Sequence, residues 1–137
     1  MRQTTLLITT LFTTSIALAL PLGAEEPQWY KGNLHTHTLW SDGNDYPEMV
    51  VDWYASRDYH FLALSDHNIL SQGQKWLSVA AADKRAGQGG FQRYQERFGD
   101  DWIETREVES DLQVRLKPLG EFRTFFERPG EFLMIQG

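Results

Sequence analysis

The sequence predicts an α/β fold that opens with a parallel strand–helix–strand unit, and three observations carry the prediction. An extended run, QWYKGNLHTH, ends in two histidines; a helix-spaced segment opened by Pro47 follows it; and a short apolar run, HFLALSDHN, ends in a third histidine. A later apolar run, EFLMIQG, supplies a third buried strand, after which the sequence stops. Three such strands with a helix layer make a small share of a barrel, so the expected object is a barrel's N-terminal portion, truncated after the third strand.

The first strand opens near Tyr30, and its pleat places alternate side chains, His35 and His37, on one face. A turn at Asp42-Gly43-Asn44 precedes Pro47, the residue type favoured at the first helical position. Met49, Val50, Trp53 and Tyr54 then recur at helical spacing as the predicted core face of a helix ending near Arg57. The apolar run after His60 reads as a buried second strand. SQGQKWLSVAAADKRAG reads as a helix or irregular helical segment, and GGFQRYQERFG as a short amphipathic helix between glycines. WIETREVESDLQVRLKPL alternates apolar and polar residues about Glu109-Ser110-Asp111, predicting a β-hairpin excursion. GEFRTFFERPG gives a last short helix before the third strand.

The 137 residues divide into an export segment and one domain portion. Residues 1–24 carry Arg2, an apolar stretch from Leu6 to Leu20 broken by threonines and Ser15, and a turn to acidic composition at Glu25. That layout is a secretory signal, and its apolar stretch falls short of the roughly 20 residues that span a bilayer. Cleavage is expected after Ala24, with Ala19 as the competing position. Residues 25–137 form the incomplete domain. The sequence has no cysteine, hence no disulfide framework, thiolate metal site or N-terminal lipid attachment, so export leads to the periplasm or the medium without a stable membrane anchor. A formal net charge of −6 argues against nucleic acid as the partner.

Only four histidines occur, and three of them close predicted strands. Neutral imidazoles two apart on a strand converge on one cation, a common start of a divalent metal site. Asp42, in the loop leaving that strand, is equally a turn aspartate before a left-handed glycine and a hard oxygen ligand. Asp66 and His67 end the second strand and point to opposite sides. His67 is therefore the candidate ligand, with Asp66 the catalytic-site residue that supports it. His60 begins the same strand, at the far end from this chemistry. The five tryptophans are expected in core and interface packing, with Trp40 the one candidate for lining a pocket. Arg115, Lys117 and Arg123 read as a solvated face.

NLHTHTLWSDG resembles the first motif of the PHP (polymerase and histidinol phosphatase) superfamily, His-x-His-[Ser/Thr] followed by Ser-Asp-Gly. FLALSDHN resembles its second, a buried strand ending in [Ser/Thr]-Asp-His-[Asn/Asp]. The resemblance is specific over residues 30–70 and faint over 71–130. It implies a distorted (β/α)7 barrel holding two or three divalent ions, zinc, manganese or iron, at its C-terminal face. It places His35 and His37 on one ion and Asp42 with His67 on another. It further implies hydrolysis of small phosphate mono- or diesters by a metal-bound hydroxide. The family's bridging glutamate, later histidines and final Asp-x-His are absent from these 137 residues, so the fragment alone is expected to be inactive. Two other readings remain open: an amidohydrolase, whose barrel also begins with His-x-His, and a non-catalytic metal-binding or interaction module.

Overall fold

The computed structural model describes residues 26–137; the predicted leader and both cleavage positions lie outside them. The architecture is mixed α/β. Strand β1 (Gly32–Thr36) leads through helix α1 (Pro47–Ala55) to strand β2 (Phe61–Leu64). Near the end, helix α4 (Leu119–Phe126) leads to strand β6 (Leu133–Gln136). These strands form one parallel sheet in the order β1-β2-β6, with Leu62 level with Asn33 on one side and Met134 on the other. The sheet is open, and no barrel closes among the described residues.

One face of this sheet is covered. Leu62, Leu64 and Met134 pack with Val51 of α1 and with Leu119, Phe122 and Phe126 of α4. The other face is bare and apolar: Leu34, Leu133 and Ile135 are all exposed. Parallel sheets are ordinarily buried on both faces, so this surface is atypical of a finished α/β layer.

Pro47 starts α1 as its type predicts, and of the expected core face Met49, Val50 and Tyr54 pack partly buried against the core while Trp53 does not. Val51 and Glu48 face inward while Trp53 is exposed, its ring stacked beneath the Arg57 guanidinium at 4.2 Å. Cation–π contact with the flanking arginine gives the indole a stable place at the surface.

Between β2 and α4 the chain builds a separate lobe. Strand β3 (Lys75–Ser78), helix α2 (Val79–Ala86), helix α3 (Gly90–Phe98) and the hairpin β4 (Thr105–Val108) and β5 (Asp111–Leu116) form an antiparallel sheet, ordered β3-β5-β4, with two helices. The hairpin and α3 match the sequence reading. The Lys75–Ser78 stretch does not: it was expected in a helical segment and is a strand, because β5 offers it a backbone ladder from Lys75↔Leu116 to Ser78↔Gln113. At the hairpin tip Glu109 and Ser110 both adopt left-handed conformations, φ 49° and 67°, the twist that two-residue hairpin turns require.

Of the expected solvated face, Arg123 is part-exposed and donates to the Met134 carbonyl at 3.0 Å, whereas Arg115 and Lys117 are largely covered. Their side chains are 10% and 8% exposed, roofed by Glu104 and Glu121: Arg115 meets each carboxylate at 2.6 Å and Lys117 meets Glu104 at 3.0 Å. Lys117 lies over the Trp102 ring as well. They tie the lobe to α4 rather than facing solvent.

Where lobe and α1 meet, Glu48 is fully buried. Its Oε1 accepts hydrogen bonds from Tyr94 Oη (2.8 Å) and Trp102 Nε1 (3.0 Å), while Oε2 has no partner among the described residues. Burial pushes this carboxyl above its ordinary value of 4.5, against the pull of the Tyr94 and Trp102 bonds. The folded protein therefore binds the proton more tightly than the unfolded chain. Stability from this group is fully present below pH 4.5 and is lost as pH rises through the raised value. Denaturant titrations of wild type and Glu48→Gln at pH 5 and pH 8 should show wild type losing stability relative to the variant at the higher pH. The subtraction cancels other groups, including Glu104, which Arg115 and Lys117 hold down at about 2. A stability difference that does not change with pH would refute this role for Glu48.

Candidate metal centre

His35 lies in β1, His37 just beyond its end, and His67 three residues after β2. Because β1 and β2 are parallel neighbours, their C-terminal ends bring the three imidazoles together. The ring centroids of His35 and His37 are 4.6 Å apart, and those of His37 and His67 5.9 Å. The strand is not regular here. Asn33 Oδ1 accepts the His35 N–H at 3.0 Å, and the β1–β2 register shifts between Asn33 and Thr36. His60 is at the other end of β2, where its Nδ1 accepts the Lys31 N–H at 2.9 Å and its ring meets the edge of Tyr30. The expected separation of His60 from the other three is present.

Asp42 is 2.6 Å from His37 Nδ1 through Oδ1 and 3.6 Å from His67 Nδ1 through Oδ2. Its side chain is 61% exposed. Loss of hydration tends to raise this carboxyl, but hydrogen bonds from Ser41 and His37 outweigh it and hold Asp42 at about 2. Asp42 is thus an anion throughout the physiological range. Gly43 serves the loop through close approach rather than through the expected left-handed conformation: a Cβ there would sit 2.3 Å from the His37 carbonyl carbon. Only a residue without a side chain lets the loop fold back beneath His37.

Asp66 is buried beneath this loop with both oxygens committed. Oδ1 accepts the Thr38 N–H (2.7 Å), the Ser41 N–H (3.1 Å) and the Ser41 hydroxyl (2.7 Å); Oδ2 accepts the Thr38 hydroxyl (2.8 Å) and, at 3.5 Å, that of Ser71. Its place is support of the loop over residues 38–43 from below. Trp40 is 1% exposed, its indole inserted in the lobe's core with Nε1 donating to the Lys117 carbonyl at 3.0 Å. It does not line a pocket.

Among the described residues no three histidine, aspartate or glutamate side chains are arranged to hold a metal ion. The donor types nonetheless suit one. His37 Nδ1 is engaged by Asp42, and His35 Nδ1 lies 3.3 Å from Ser65 Oγ, which leaves Nε2 of each ring as the outward donor. A ligating histidine ordinarily gives its second nitrogen to a carboxylate or hydroxyl in this way. Asp42 Oδ2, which faces His67 Nδ1 at 3.6 Å, and the exposed His67 ring lie on the solvent side of the cluster. No protein-family model, no curated protein and no solved structure matches the chain. Among the described residues no helix is long and apolar enough to cross a membrane.

Proposed function

We propose that the protein is an exported, metal-dependent hydrolase of phosphate mono- or diesters, and that its parallel sheet is the opening of a PHP-type barrel. The observation that carries this reading is the meeting of His35, His37, His67 and Asp42 at the C-terminal ends of adjacent parallel strands, where α/β barrels place their chemistry. The bare apolar face of the β1-β2-β6 sheet supports the barrel half of the reading, since further strands are what such a face packs against. His35 and His37 would hold one divalent ion through Nε2, and Asp42 with His67 would hold another. A bound ion supplies Lewis acidity toward a phosphoryl oxygen and lowers the pKa of its water toward about 7.

The residues present define the test. Four donors cannot complete two coordination shells, and two-metal hydrolysis needs ions held about 3.5–4 Å apart. Residues 25–137 alone should bind one divalent ion weakly and turn over neither p-nitrophenyl phosphate nor bis(p-nitrophenyl) phosphate with added zinc or manganese. A product carrying the rest of the barrel should hydrolyse one of them and lose that activity on His35→Ala. Hydrolysis of cyclic amides instead would assign the amidohydrolase reading. Metal binding by that longer product with neither activity would assign a non-catalytic module.

A further inference from the structure

The loop that carries Asp42 is gripped from two sides. From below, Asp66 takes its inward N–H groups and hydroxyls, and Thr38 O accepts the Ser41 and Gly43 N–H groups at 3.1 and 2.9 Å. Its outward carbonyls go to the lobe. Lys75 Nζ of β3 donates to the Trp40 carbonyl, and Arg85 of α2 donates to the Gly43 carbonyl. These two carbonyls flank Ser41-Asp42, so the donors bracket the candidate ligand. The bracket is independent of the Trp40 indole, which anchors the loop in the lobe core through a different atom.

The two donors are an unusual choice for the task. Among the described residues neither Lys75 nor Arg85 forms an ion pair. Burial and then the nearby Arg85 charge press the Lys75 ammonium below its ordinary value, with Asp66 opposing. Two neighbouring cations repel, and spending both on neutral carbonyls leaves that repulsion only partly offset. Their common effect is on one object, the Trp40–Gly43 turn. Without them its carbonyls would turn to water, and the tight return of Gly43 beneath His37 would lose its outer support.

We propose that Lys75 and Arg85 are positioning residues for the ligand loop: by holding the Trp40 and Gly43 carbonyls they keep Asp42 against His37 and set the affinity of the ion site. The affinity half rests on the reading of His35, His37, Asp42 and His67 as metal donors; the loop half does not. The lobe thereby becomes part of the site's machinery although it contributes no ligand.

The test joins amide hydrogen exchange on metal-free protein with Co²⁺ titration followed by calorimetry and visible absorption. It uses wild type, Lys75→Met, Arg85→Met and the charge-retaining Lys75→Arg and Arg85→Lys. The Leu39 and Gly43 amides, bonded to Asp45 O and Thr38 O, should exchange at least about tenfold faster in the methionine variants while the β2 amides stay protected. Co²⁺ affinity should fall about tenfold, in the range seen when a ligand's supporting partner is removed, with at least partial rescue by Arg85→Lys. Loop exchange equal to wild type would overturn the proposal, as would a rise shared equally by β2, which signals general destabilisation. If the methionine variants do not fold, Lys75→Gln and Arg85→Gln, which remove the charge and shorten the reach to the carbonyls, decide through the same loop amides: faster loop exchange supports the proposal and wild-type exchange overturns it. Wild type that binds no Co²⁺ would overturn the metal reading and the affinity half with it, while the exchange data still judge the loop half.

Discussion

His67→Ala should lower Co²⁺ or Zn²⁺ affinity by about a hundredfold or more, the upper end of what even an indirect partner of a metal ligand contributes. His60→Ala, at the other end of the same strand, should leave it unchanged. The contrast isolates the site from histidine content as such. His67 follows β2 and faces Asp42 and His37, whereas His60 is tied to Lys31 and Tyr30. His67 is well exposed, 62% of its side chain, so its removal opens no cavity and should leave the thermal midpoint nearly untouched. Isothermal titration of the three proteins against one metal decides the matter. Equal affinities for wild type and His67→Ala would show that this imidazole is not a donor.

Asp66→Ala should be the most destabilising single change near the site, by about 3 kcal/mol or more. The carboxylate is 6% exposed and accepts from two backbone N–H groups and two hydroxyls within 3.1 Å. Thr38 is completely buried, so its freed N–H has no access to water, and each stranded donor of this kind costs about 1–3 kcal/mol. A loss of that size lowers the thermal midpoint of a domain of roughly a hundred residues by about 10 °C or more. Circular dichroism melts of the metal-free proteins measure it. A midpoint within about 2 °C of wild type would mean that Asp66 is not the loop's support. The test is blind to any metal role, which makes it complementary to the histidine series.

The parallel unit was readable because each of its signals is local. Pro47 opens α1, the apolar run names β2, and His-x-His and Ser-Asp-His close the two strands. What escaped the sequence depends on partners distant along the chain. Lys75–Ser78 has no strand alternation of its own and becomes a strand only because β5 pairs with it. Glu48, in the first helical turn, carries the pattern of a solvent-facing acid that favours a helix N-terminus, yet the lobe brings Tyr94 and Trp102 over it. Arg115 and Lys117 look like surface charges until Glu104 and Glu121 roof them. Lys75 and Arg85 carried no motif at all, and only the folded turn shows what they grip.

The pairing of Lys75 with Leu116 at the base of the lobe bears on how the chain folds. Strands β2 and β6 must find each other across about seventy residues, a slow kind of contact for a polypeptide searching at random. Once β3 has paired with β5, the entry and exit of the lobe lie side by side. The free chain between β2 and β6 is then cut by more than half, and each halving lowers the entropy of closure by about 0.6 kcal/mol. The β3-β5-β4 sheet should therefore gain protection first in a refolding experiment and the parallel sheet afterwards, while the Asp42 loop, whose neighbours Leu39, Trp40 and Tyr46 complete the lobe's core, orders as that core closes.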